Sequence, residues 1–131
     1  MTKITLLIGL PGSGKSFLGN QLAIQGAYFI DDISYIRGLD LFREAILTKP
    51  YVVVADTFLC RKKDQEIAID FLKEFHDIEV EWIFFENNPD KCRRSVVRRN
   101  DGRRVDGLIR QLSLEYVIPD GVTPREIYDA D

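Results

Sequence analysis

"ITLLIGLPGSGKSFLG", residues 4–19, decides how this chain is read. The apolar run Ile4 to Ile8 leads into a loop, and the segment holds four of the chain's nine glycines. A short continuous apolar run of this kind suits a strand buried on both faces. Gly9-Leu10-Pro11-Gly12-Ser13-Gly14-Lys15-Ser16 then fits G-x-x-x-x-G-K-[ST] at every fixed position. Glycines let the main chain curl so that successive N–H groups converge on phosphate oxygens with no Cβ in the way. A helix starting near Lys15 turns its positive end toward the same oxygens. Lys15 supplies a full charge for the β and γ groups, and Ser16 offers a hydroxyl to Mg²⁺. The expected nucleotide-binding set is therefore Gly9, Pro11, Gly12, Ser13, Gly14, Lys15, Ser16 and Phe17. It points to a nucleoside triphosphate without naming a reaction.

Outward from this loop, strands and helices alternate. Residues 15–25 have apolar positions compatible with a helix that Gly26 stops. "AYFID" (27–31) reads as a second strand, "LDLFREAIL" (39–47) as a helix and "YVVVAD" (51–56) as a third strand. "KKDQEIAIDFLKEF" (62–75) places Ile67, Ile69, Phe71, Leu72 and Phe75 on one helical face. A strand over 78–86, helices over 89–100 and 106–116, and a last short strand near "REIYD" (125–129) complete the series. Such alternation predicts right-handed crossovers and a parallel sheet covered on both faces, with ligands at the carboxyl ends of the strands.

At 131 residues the chain is expected to form one domain, 1–131, with one site. An apolar fraction of 45% and a charged fraction of 30% are ordinary for a globular protein. No apolar run approaches the roughly 20 residues that span a bilayer. The first 15 residues lack the basic region and cleavage site of a signal peptide, so no membrane partner and a cytoplasmic location are expected. Cys60 and Cys92 have no metal-ligand spacing, and neither is expected to be catalytic. The net charge of −3 argues against a protein that coats nucleic acid with its whole surface. Between Lys91 and Arg110, however, eight basic residues face two acidic ones.

The GTPase signatures are missing: Asp56 is followed by Thr-Phe-Leu, and "NNPD" lacks the guanine-reading lysine. The chain is also short for an oligomeric ATPase. That leaves a small kinase, in which a carboxylate prepares an acceptor hydroxyl and cations balance the moving phosphoryl group. Three features suit it. Asp31-Asp32 ends the second strand beside the phosphate loop. Side chains alternate along a strand, so one of the two is expected to face the cleft, or the pair caps the helix that follows. Asp56-Thr57 ends the third strand, where an aspartate either serves Mg²⁺ or makes a turn. In "RRSVVRRNDGRR", Arg93, Arg94, Arg98 and Arg99 spread around two helical turns and cannot all face one ligand. Arg99, at the helix end, and Arg103, in the loop around Gly102, are the expected phosphate contacts.

"LIGLPGSGKS", "VVVADT", "VEWIFFENNPDKCRRSVVRRN" with the arginine pair beyond it, and "LIRQL" together resemble the P-loop kinase group that includes the polynucleotide 5′-hydroxyl kinase domain and zeta-toxin-like kinases. The likeness runs through nearly the whole chain in the same order. It implies a P-loop NTPase three-layer α/β sandwich with a parallel five-stranded sheet in order 2-3-1-4-5 and a small helical lid at about 93–107. It further implies ATP as donor with Mg²⁺ as cofactor, Asp32 as the acceptor-activating residue and Arg103 as the lid arginine. The acceptor implied is a polynucleotide 5′-hydroxyl, with a nucleoside or small metabolite, or a non-transferring ATP-binding switch, as alternatives. The expected catalytic set is then Lys15, Asp32, Arg99 and Arg103. Ser16, Asp32 and Asp56 are the expected metal residues, and Arg37, Asp31 and Thr57 the acceptor contacts. Ile33-Ser34-Tyr35-Ile36 separate Asp32 from Arg37, a wider spacing than the group's usual one.

Overall fold

The computed structural model describes residues 1–33, 38–99 and 105–127. Its strands are β1 (Thr2–Ile8), β2 (Tyr28–Asp31), β3 (Tyr51–Asp56) and β4 (Ile78–Phe84), all parallel, in order β2-β3-β1-β4. Its helices are α1 (Lys15–Ile24), α2 (Gly38–Thr48), α3 (Lys62–Leu72), α4 (Pro89–Arg99) and α5 (Asp106–Glu115), with a 3₁₀ turn at Phe58–Cys60. The crossover from β1 to β2 runs opposite to those from β2 to β3 and β3 to β4. Right-handedness therefore puts α1 on one face of the sheet and α2 with α3 on the other. There Phe42 of α2 stacks on Phe71 of α3 at 5.2 Å.

The centre of the sheet explains the apolar runs. Ile4, Leu6, Leu7 and Ile8 of β1 and Val52 to Ala55 of β3 have no exposed surface. Each such aliphatic side chain contributes about 1.5–3 kcal/mol relative to exposure. The register pairs Ile8 with Asp56 on one side and Phe84 on the other, so the three strands end level and their outgoing loops share one rim.

Two expectations change. Among the described residues the sheet has four strands, not five. The fifth position is held by one parallel bridge, Arg125 to Phe85, with Arg125 N–H donating to Phe84 O (2.7 Å) and Glu86 N–H to Arg125 O (2.9 Å). Of the expected strand at 125–129, the described residues show a bridge at Arg125 beside the end of β4, and 128–129 lie outside the described residues. On α3, Ile67 and Ile69 are exposed, at 48% and 44%, while Gln65, Ala68, Phe71 and Leu72 are buried. Buried Gln65 explains the shift in face: its amide donates to Leu59 O and Val117 O, both at 2.9 Å, so a polar residue occupies an inward position. No helix among the described residues is long and apolar enough to cross a membrane.

Candidate active site

At the rim where β1, β2 and β3 end lies an open cavity of about 650 Å³. Pro11, Gly12, Ser13, Gly14, Lys15, Ser16 and Phe17 form one wall, and Asp31, Asp32, Thr57 and Phe58 another. Ser95, Arg98 and Arg99 of α4, with Val105 and Leu108, complete it.

The phosphate-loop wall is made by glycine geometry. Gly12 has φ +84° and Gly14 φ +102°, values that favour glycine over any residue with a Cβ. At Gly12 a Cβ would also stand 2.5 Å from Cys92 O, so the loop lies directly on the backbone of α4. That contact carries the next turns of α4, with Ser95, Arg98 and Arg99, over the cavity. Gly9 is not on the wall. A Cβ there would overlap Ser13 Oγ, so its place is beneath the loop.

Lys15 is buried, with Nζ donating to Leu10 O (2.9 Å) and lying 3.5 Å from Ser13 Oγ. Burial pushes its pKa below the ordinary 10.5, because the charged ammonium has lost water. A cation so placed gains most from an anionic partner such as a phosphate oxygen.

Asp31 and Asp32 both line the cavity, which corrects the expectation that strand alternation admits only one. Asp31 is the last residue of β2, and Asp32 leaves the strand at φ +65°. That left-handed backbone breaks the two-residue alternation, so successive side chains share a side. Asp31 Oδ2 accepts the Ser16 hydroxyl at 2.9 Å.

Asp56 is absent from the cavity wall. It has no exposed surface, and its carboxylate accepts Ile33 N–H (3.0 Å) on one oxygen and Phe58 N–H (2.8 Å) on the other. Of the two readings the sequence left for it, the geometry supports the turn. Thr57, next to it, does line the cavity. Arg99 lines the cavity, whereas Arg37 and Arg103 lie outside the described residues. Tyr116 does not line it; its hydroxyl donates to Phe85 O at 2.6 Å. His76 is exposed in the loop before β4.

Sequence reasoning passed over Ser95, Arg98, Phe58, Val105 and Leu108. Helical spacing could have supplied the first two, since Ser95, Arg98 and Arg99 stand at i, i+3 and i+4 and share a face.

The donor set suits Mg²⁺. A serine hydroxyl and a carboxylate 2.9 Å apart beside a phosphate loop are hard oxygen donors, and Mg²⁺ with a nucleotide needs only one or two of these from protein.

Over an alignment that covers 88% of this chain, the sequence is 32% identical to an uncharacterized protein of Acanthamoeba polyphaga mimivirus, of which the match covers 87%. The chain belongs to that protein's family. No family model matches it. Among solved structures, a gluconokinase from Sinorhizobium meliloti is similar over 99% of this chain and 83% of its own, with a TM-score of 0.68 at 16% identity. The fold is thus shared with that gluconokinase, an α/β architecture built on a parallel sheet.

Proposed function

We propose that this chain is an ATP-dependent kinase that phosphorylates a hydroxyl group of a small molecule. One observation carries the reading: a phosphate loop with its lysine faces two carboxylates and two arginines across a single cavity. Lys15 and the loop amides would hold the triphosphate. Ser16 with Asp31 would hold Mg²⁺, which supplies neutralising charge to the β and γ oxygens. Asp32 accepts the acceptor's hydroxyl proton as that oxygen bonds to the γ-phosphorus and the bond to the ADP oxygen breaks. Arg98 and Arg99 balance charge on the transferring group. They fall within the expected lid at about 93–107, and Ser95 and Val105 line the same cavity.

The polynucleotide 5′ end, first choice on the family resemblance, gives way here to the small-molecule alternative. Among the described residues of the basic stretch, cations are paired within the chain: Lys91 with Glu86 (2.8 Å) and Glu126 (3.6 Å), and Arg93 with Asp90 (3.1 Å). A cavity of about 650 Å³ is in the size range of small-molecule sites. The fold neighbour is, by its name, a kinase of gluconate.

The test is to incubate the protein with γ-labelled ATP and Mg²⁺ against gluconate and other sugar acids, polyols, nucleosides, and 5′-hydroxyl DNA and RNA. Label should enter a small hydroxyl compound, at a rate that barely responds to salt. Transfer to oligonucleotides that weakens steeply with salt would restore the polynucleotide reading. Label found only in free phosphate would favour a nucleotide switch. In the same assay Asp32→Asn should lower kcat by about 10²- to 10⁴-fold and leave ATP bound.

A further inference from the structure

We infer that Asp56 and Gly38 are positioning residues that clamp the turn of Asp32 and Ile33 at two points, and so keep both carboxylates on the cavity wall. The inference rests on the phosphotransfer reading above and deepens it. Asp32 adopts φ +65°, a conformation an aspartate holds only if its surroundings fix it. Three contacts do so. Asp32 N–H donates to Ala55 O (2.7 Å), and Ile33 N–H donates to Asp56 Oδ2 (3.0 Å). Gly38, the first residue of α2, lies so close that a Cβ there would overlap the Ile33 carbonyl, whereas Asp56 holds the Ile33 N–H. Asp56 is itself fixed, since Phe58 N–H occupies its other oxygen at 2.8 Å. This carboxylate ties the exits of β2 and β3 together and touches no cavity surface.

Two variants loosen the turn independently. Asp56→Asn replaces one of the two accepting oxygens with an NH₂ that cannot accept. Gly38→Ala pushes on Ile33 and leaves Asp56 intact, so it carries the test should Asp56→Asn not fold. With MgATP and the panel compound that the wild-type protein phosphorylates, kcat should fall by about 10²-fold in each, because reacting groups displaced by about 1 Å lose that much. The KM for MgATP should stay within about threefold, as the phosphate loop is untouched. Amide exchange at Ile33, followed by NMR on the protein alone, should speed up in Asp56→Asn while the β1 amides keep their protection.

Wild-type kcat in both variants would overturn the inference and leave the kinase reading standing. So would a KM for MgATP that rises as much as kcat falls, since that marks general loosening. A wild-type protein that transfers label to no hydroxyl would overturn both.

Discussion

After β1 the chain turns through Gly12 and Gly14, at φ +84° and +102°; after β2 it turns through Asp32, at φ +65°. Both turns leave parallel strands at the same rim, and both line one cavity. The first uses residues with no Cβ and presents main-chain donors. The second uses an aspartate and presents carboxylates. For a non-glycine residue the left-handed conformation costs roughly 1–2 kcal/mol, which hydrogen bonds onto Asp56 and Ala55 can offset. A donor wall can thus be written locally in glycine, whereas an acceptor wall built on a left-handed aspartate needs support from another strand.

The largest effect should come from the cation between the two walls. Lys15→Met should lower turnover by about 10²- to 10³-fold or more, measured as ADP release with the acceptor saturating. Stability should not fall with it, because Leu10 O still accepts Ser13 N–H (3.1 Å) and a buried charge is gone. The pH dependence has a definite sign. The native pKa lies below 10.5, so between those two values the unfolded chain binds more protons at this site and wild-type stability rises with pH. Below the window the native protein carries the full penalty of the buried charge. The stability advantage of Lys15→Met should therefore be greatest below the native pKa and shrink as pH climbs from there toward 10.5, read by urea unfolding at several pH values. An advantage that grows with pH would show that the lysine is not held as described.

A smaller effect separates the two glycines of the donor wall. Gly14→Ala meets nothing closer than Phe85 Cε1 at 3.8 Å, so its cost is conformational, about 1–2 kcal/mol. Gly12→Ala adds a Cβ 2.5 Å from Cys92 O, a main-chain atom that cannot swing aside, and should cost about 2–5 kcal/mol. Equal losses in urea unfolding would mean that α4 does not rest on the loop at Gly12.

The difference between the walls is also the difference in what could be read from the sequence. Gly12, Gly14, Lys15 and Ser16 are neighbours in one motif, so their expected joint role could be written from local sequence, and all four line the cavity. The parallel direction of β1 to β4 followed from alternating periodicities, and their order from the family resemblance. Asp32 was expected to compete with Asp31 for the cleft because strand alternation assumes extended backbone. No local signal announces a left-handed aspartate whose support comes from Asp56 on the next strand. Asp56 looked like a metal residue because its bonding to Ile33 and Phe58 depends on how three segments meet. The fifth position of the sheet has a similar origin: among the described residues Arg125 meets Phe85, just beyond β4, at a single bridge.

A third strand end supplies the comparison with the smallest effect on activity. Just beyond β4, Glu86 Oε1 accepts Lys91 Nζ (2.8 Å) and Ile127 N–H (3.1 Å), so it secures a neighbouring segment through a backbone amide, as Asp56 does. It differs in one respect: among the described residues, the segment held through the Ile127 amide carries none of the cavity's residues, and α4 is touched only at Lys91, in its first turn, away from Ser95, Arg98 and Arg99. Glu86→Gln should lower the Tm by a few degrees at neutral pH and leave kcat within about twofold. The hydrogen bond from Lys91 depresses the Glu86 pKa below 4.5, so this stabilisation is present above pH 4.5 and is lost as pH falls through the native value. The Tm difference between Glu86→Gln and wild type should close in acid accordingly. If Glu86→Gln slowed turnover as much as Asp56→Asn, any loosened strand end would impair catalysis, and the special place given to the Asp32 turn would be lost. If Asp56→Asn alone does so, what matters is which residues the anchored turn carries.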